Sequence, residues 1–206
     1  MAVPVERLLL SLRSKLGDTV ADRPRYNDAA LIDAVNAALS WISTEALPFR
    51  KTWEIETIDG VQSYRLPDDW EKRIAVYIDG EQVHRVISEE ENHRAEGIYV
   101  PYAVIDAQTI AVYTGSAMKA GRRIKLHYYH QETVSDAREN IPLSAGWREP
   151  IVYYALSELM LNPNKKDGMN RSQYYLGLAE KKAAPLKSRL ASERATHSIR
   201  VPYRSV

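Results

Sequence analysis

The hydrophobic period of the chain changes twice along its length, and those two changes limit its fold more than any single residue does. Between residues 4 and 16, Val5, Leu8, Leu9, Leu12 and Leu16 recur every three or four positions with charges between them. This spacing predicts a short amphipathic helix that stops at Gly17. After an extended "ADRPRY" link, Leu31, Ile32, Val35, Leu39 and Ile42 predict a second helix. Asn27 or Asp28 caps it, and it ends near Ala46, ahead of Pro48.

From residue 51 the period becomes two. Trp53, Ile55 and Thr57 alternate with Glu54 and Glu56, Asp59-Gly60 supplies a turn, and Val61 to Leu66 return as the second arm of a hairpin. Within that arm Gly60 makes the turn, Tyr64 and Leu66 pack on one face, and Pro67 with Asp68 ends the strand. Ile74, Val76 and Ile78 form a further strand, Asp79-Gly80 a second tight turn, and Val83, Arg85 and Ile87 its far side. "YVPYAVIDAQTIAVYTG" and "RRIKLHYYHQETV" add about three short strands, so the middle of the chain reads as an antiparallel β unit.

The last third is helical again. "GWREPIVYYALSELML" is apolar around much of its circumference, which buries it on more than one face. The residues leave open whether one of those faces is core or a subunit interface. A further helix carries Tyr174, Tyr175, Leu178, Ala183, Leu186 and Leu190, with Pro185 expected to kink or break it. Residues 193–206, "ERATHSIRVPYRSV", lose the helical period. Ile199, Val201 and Tyr203 alternate there with Arg200, Pro202 and Arg204, a strand-like tail that extends to ~45 Å and suits ordering on a partner. The expected architecture is therefore α+β: a helical bundle from residues 1–49 and 143–192, an inserted antiparallel β unit at 50–142, and an extended C-terminal tail at 193–206.

Composition narrows the function. Lys and Arg number 28 against 27 Asp and Glu, a net charge of +1, which argues against a dedicated nucleic-acid binder while leaving transient DNA contact open. There is no cysteine, so disulfides, thiolate metal sites and cysteine nucleophiles are excluded. The N-terminal stretch carries Glu6, Arg7, Arg13 and Lys15 among its leucines and is unlike a secretory signal. No apolar run reaches the ~20 residues of a membrane span, and a soluble, cytoplasmic chain without a membrane partner is expected. Thirteen tyrosines against one phenylalanine favour surfaces that are wet when free and buried when paired.

Catalytic motifs are sparse. His127 and His130 are three apart, but in a strand that spacing sends them to opposite faces, so no metal site is expected. Glu89, Glu90, Glu91 and His93 read as a solvated loop rather than an enclosed acid–base pair. Asp68 and Asp69 are adjacent and suit a turn. Arg122-Arg123, Lys165-Lys166 and Lys181-Lys182 read as solvated faces rather than a phosphate track. No catalytic residue and no cofactor are assigned.

Three segments together resemble the head-to-tail adaptor (connector) proteins of tailed bacteriophages, of the short-tailed type. The first is "YNDAALIDAVNAALSWI", with Tyr26, Asn27, Leu31, Ile32, Asn36 and Ala37. The second is "DGVQSYRLPDDW", with Gly60, Tyr64, Leu66, Pro67 and Asp68. The third runs from "IPLSAGWREPIVYYALSELM" to "RSQYYLGLAEKKAAPL", with Leu143, Trp147, Tyr154, Ala155, Tyr174 and Tyr175. The order of the segments, over about residues 20 to 190, carries the likeness more than any one of them.

The resemblance implies a non-enzymatic virion protein of the neck, assembled in the host cytoplasm. Such proteins form a ring of about twelve copies that docks on the portal, extends the DNA channel and carries the tail or nozzle. Its partners are then its own copies, the portal protein, the tail or nozzle protein, and genomic DNA in passage. On that basis Trp147, Ile151, Tyr154, Tyr174 and Tyr175 are candidates for the subunit interface. Ile199, Arg200, Val201, Pro202, Tyr203 and Arg204 are candidates for portal binding. A neck protein without portal contact, a cell-wall hydrolase and a DNA-binding module are the competing classes.

Overall fold

A computed structural model describes residues 2–18, 24–83, 85–87, 102–106, 108–113, 120–161 and 167–198. The chain divides into two compact units, one from residues 1–48 with 132–206 and one from residues 49–131.

Among the described residues the first unit is built on four helices: α1 (Val5–Leu16), α2 (Asp28–Ala46), α3 (Arg148–Met160) and α4 (Gly168–Ser198). Each end has a local cause. Gly17 adopts φ 67° past α1, and the Asp18 amide returns to the Arg13 carbonyl at 2.9 Å, a left-handed stop that costs glycine little. Asn27 Oδ1 accepts from the Ala30 amide at 2.8 Å and caps α2. The Asp18 carboxylate accepts from the amides of Arg25 and Tyr26 and from Arg13, which also pairs with Asp28 at 2.6 Å. Those bonds, the Arg25 amide foremost, hold the Asp18 carboxyl below its ordinary range and tie the end of α1 to the start of α2.

Helix α3 is central. It packs on α1, α2 and α4, and Ile151, Val152, Ala155 and Leu156 are buried there. The helix that reads as apolar on several sides is covered on several sides by its own chain. Helix α4 runs unbroken through Pro185, contrary to expectation. Pro185 and Lys181, whose carbonyl loses its amide partner, are both exposed residues of the helix. Ala179 and Ala183 are buried before it, and Lys187 reaches Glu45 after it. The helix also continues through residues 193–198, which read as tail. Arg194 donates from Nη2 to the carbonyls of Ala46 and Leu47. That grip sits where Leu47 takes φ 46°, an uncommon conformation for a residue with a Cβ.

Residues 132–142 also join the helical unit rather than the β unit. Asn36 on α2 exchanges two hydrogen bonds with the Val134 backbone, at 2.8 and 2.9 Å. Strand β10 (Asn140–Ile141) pairs with β1 (Val3–Pro4). Neither tie is visible as a period.

Among the described residues the second unit has two four-stranded sheets sharing one core. The first has the order β2 (Arg50–Glu56), β9 (Arg123–His130), β4 (Trp70–Ile78), β5 (Glu81–Gln82). The second has the order β3 (Ser63–Arg65), β8 (Thr109–Tyr113), β7 (Tyr102–Ile105), β6 (Arg85–Ile87). All pairings are antiparallel except β6 with β7. Val76, Ile124 and Leu126 of the first sheet meet Ala103, Ile110 and Val112 of the second in the core.

Of the two sequence-predicted hairpins, the first changes partners and the second is cut short. Gly60 takes φ 75° and the turn forms, with the Val61 amide on the Ile58 carbonyl at 3.1 Å. The arms then part, β2 pairing with β9 and β3 with β8. Buried Thr57 explains the parting, because its amide, carbonyl and hydroxyl are all bonded to Gly121 and Arg122. At Asp79-Gly80 both residues have positive φ, the twist of a tight hairpin turn. That hairpin pairs Tyr77 and Ile78 with Glu81 and Gln82, and the Val83 amide bonds to the Val76 carbonyl at 2.8 Å, before β6 joins the other sheet.

Asn36 makes a side-chain tie that pins Val134 to α2. Replacing it with alanine leaves the Val134 amide and carbonyl without that partner. A loss of about 1–3 kcal/mol in unfolding free energy is expected, read from urea denaturation.

Candidate docking surfaces

The Leu-Pro-Asp-Asp-Trp segment is a fastened corner. Tyr64 and Leu66 are buried while Ser63 and Arg65 point outward. The Tyr64 hydroxyl donates to the Val61 carbonyl at 2.8 Å and accepts from the Ile58 amide at 3.0 Å. After Pro67 the Trp70 amide bonds back to the Pro67 carbonyl, and Asp68 pairs with Arg65 at 2.7 Å in the open. Asp69 turns the other way and accepts from Lys51 at 2.6 Å and from the Tyr128 hydroxyl at 3.0 Å. Burial raises the Asp69 carboxyl, but the bonds from Lys51 and Tyr128 outweigh it and leave it below its ordinary value. Burial, and then Asp69, push the Tyr128 phenol up to about 12.

His127 and His130 occupy different surroundings. His127 Nδ1 meets Thr52 Oγ1 at 2.8 Å, and its ring lies edge-on to Tyr77. His130 is buried beside Phe49. Arg122 and Asp79 pair at 2.7 Å, and Lys182 is held by Glu149 at 2.8 Å. Among the described residues no group of three His, Cys, Asp or Glu side chains is placed to hold a metal ion. No helix among them is long and apolar enough to cross a membrane. Glu89, Glu90, Glu91, His93, Lys165 and Lys166 lie outside the described residues.

The aromatic positions of the helical unit divide by burial. Trp147 and Ile151, read as interface candidates, are 3% and 0% exposed. They are used up in the chain's own core and present no surface to a neighbour. Tyr154 is half-buried and stacks on Trp41 at 4.8 Å, with the Lys187 ammonium 4.8 Å over the Trp41 ring. Burial, then Glu158, raises the Tyr154 phenol above its ordinary value. Tyr175 stacks on Tyr153, whose ring also carries Lys15 at 5.0 Å. Tyr174 stands 64% exposed beside Tyr175.

Lys15, Arg25, Tyr26, Met160, Arg171 and Tyr174 line a cleft of about 820 Å³ next to this cluster. Met169 and Leu161 are exposed at 58% and 53%. This combination of open aromatics, apolar side chains and cations suits contact with another protein surface. Trp41 and Lys15 did not stand out in the sequence. A partner for each is found only by folding, since the rings they meet are on α3. Ile199, Arg200, Val201, Pro202, Tyr203 and Arg204 lie outside the described residues.

A profile of the family described as SU10 adaptor protein matches residues 7–202. The chain belongs to that family. No curated protein matches it. A helical unit interrupted by a β insert is thus the fold of an SU10 adaptor protein here, and the head-to-tail adaptor resemblance of the sequence agrees with the match. Membership makes the chain a bacteriophage adaptor and implies a structural role at the virion neck.

Core and surface assignments separate in two substitutions. Trp147→Ala is expected to cost about 3–5 kcal/mol of stability. Tyr174→Ala is expected to change it by no more than about 0.5 kcal/mol, both read from denaturant midpoints. A third measurement concerns Tyr128. Its folded-state phenol is raised above the unfolded value, so its contribution is complete below the ordinary tyrosine range. That contribution is lost as pH rises toward about 12, where the unfolded chain ionises first. In Tyr128→Phe this part of the alkaline fall in stability should vanish.

Proposed function

We propose that the chain is a ring-forming head-to-tail adaptor that docks onto the portal, extends the DNA channel and offers the platform for the tail or nozzle. The match to the adaptor family over nearly the whole chain is the observation that carries this reading. The ring, of about twelve copies, forms side by side through the helical units. Tyr174, with Tyr175 and Tyr154 behind it, supplies the open aromatic contact. Trp147 and Ile151 support that contact from the core.

The C-terminal segment docks on the portal. Ile199, Val201 and Tyr203 anchor it, Arg200 and Arg204 set its polarity, and Pro202 lies between two of the anchors. What supports this is the position of its base: α4 is fastened to the end of α2 by Arg194, so the segment departs from a fixed point. Each copy supplies a modest affinity, and the ring makes every contact after the first effectively intramolecular. A net charge of +1 suits a channel wall that DNA must pass without being held.

The test removes residues 199–206 and retains Arg194. Electron micrographs of the full chain mixed with portal should show added annular density below it. The truncated chain should keep its melting temperature and lose that density. Truncated chains that still assemble on portals would rule out the tail as the anchor.

A further inference from the structure

Strand β2 is an edge of its sheet, and among the described residues no strand pairs with its outer side. Its ladder with β9 is continuous from Arg50–Tyr129 to Glu56–Arg123. It contains no proline and no bulge, two devices that commonly blunt an edge. The other flank of the sheet ends in β5, which is only two residues long.

The register decides which groups the edge presents. The Thr57 amide bonds to the Arg122 carbonyl, and the Phe49 carbonyl accepts from the His130 amide. Backbone groups alternate sides along an antiparallel strand. Odd positions of β2 therefore face β9, while Arg50, Thr52, Glu54 and Glu56 turn their N–H and C=O groups outward. The side chains of these four are exposed on one surface of the sheet. There Arg50 lies against Tyr129, Thr52 meets His127, and Glu54 pairs with Lys125 at 2.6 Å.

We propose that the free chain forms a two-fold dimer by antiparallel pairing of β2 with β2 of a second copy, centred on Trp53. In that register Arg50 of each copy stands opposite Glu56 of the other, and Thr52 opposite Glu54. Each of these outward residues then exchanges backbone hydrogen bonds with its counterpart. Half-buried Trp53 meets its own copy at the central, non-hydrogen-bonded position, where side chains approach closely.

Charge favours this arrangement over two simple alternatives. Parallel in-register pairing sets Arg50 beside Arg50, and an antiparallel slip centred on Glu54 sets Glu54 beside Glu54. Charged side chains ordinarily deter edge pairing. Here the end charges of "RKTWEIE" complement each other when the strand is reversed, Arg50 meeting Glu56 at both ends, while Lys51 falls opposite Ile55 and Glu54 opposite Thr52 without like charges in register. Two-fold pairing closes on itself and cannot build a ring. It belongs to the chain before assembly, covering an edge that would otherwise recruit other strands, and it stands whether or not the ring reading does.

Sedimentation velocity on the full-length chain over a range of concentrations tests this without portal. A reversible dimer is expected. Glu56→Arg and Arg50→Glu should each weaken it by about tenfold, and the double exchange should restore it. Thr52→Pro should abolish it, because proline at an outward-facing position removes an edge donor and spares the ladder to β9. Circular dichroism melts identify any variant that has lost its fold, and the restoring double exchange then decides. A chain that stays monomeric at every concentration, or a dimer indifferent to the exchanges and to Thr52→Pro, overturns the proposal.

Discussion

The amide of His130 bonds to the carbonyl of Phe49 at 3.2 Å, where the β unit leaves the helical sequence and where it returns. An insert that ends where it began adds little closure entropy to its host, since that cost grows only slowly with loop length. From this bond the β2–β9 ladder runs on to Glu56 and Arg123. Leu126 and Ile124 on the inner face of β9 are fully buried, and β4 uses the opposite edge of the same strand. The second sheet then closes over that face with Ile110 and Val112. The β unit consequently has its own core and its own closure.

The bounds of α1 and α2 were legible because their causes are local. Gly17, Asn27 and the three-to-four spacing of leucines act within one turn, and α1 and α2 begin and end where those residues place them. Strand existence was legible for the same reason, and Tyr64 and Leu66 are inward as the alternation requires. Strand pairing was not. A two-residue turn is a local signal, but Thr57 is claimed by Gly121 and Arg122, far along the chain, and that claim carries β3 into another sheet. Pro185 misled for a related reason. Its missing amide and ring clash weaken the helix locally, but the burial of Ala179 and Ala183 and the ties of Lys187 and Arg194 to the end of α2 depend on residues far along the chain.

The aromatic surface shows the same division. Tyrosine enrichment pointed to contact surfaces, yet the sequence could not say which rings the chain would use itself. Trp147 fills a core that α3 shares with three helices, so a helix apolar on several sides required no second subunit. Tyr174 lies on the same side of α4 as exposed Arg171 and is left open. Ring stacking between Tyr153 and Tyr175 and between Trp41 and Tyr154 ties α4 and α2 to α3. The outer tyrosine therefore stands on a supported base, which reduces the ordering cost of any contact it makes.

The carboxylates show what the molecule does with its charge. Asp106 accepts from the amides of Gln108 and Thr109, Glu139 from Ser135 and Asp136, and Asp79 from Arg122 and the Arg123 amide. Each lies below its ordinary pKa because those donors favour the charged form. A general acid needs the opposite shift, produced by an enclosed apolar site. Asp18 and Asp69 follow the same rule at the α1–α2 connection and at the Pro67 corner. Carboxylates arranged in this way hold connections between regular elements in fixed geometry. Fixed connections of this kind suit a protein whose role is structural.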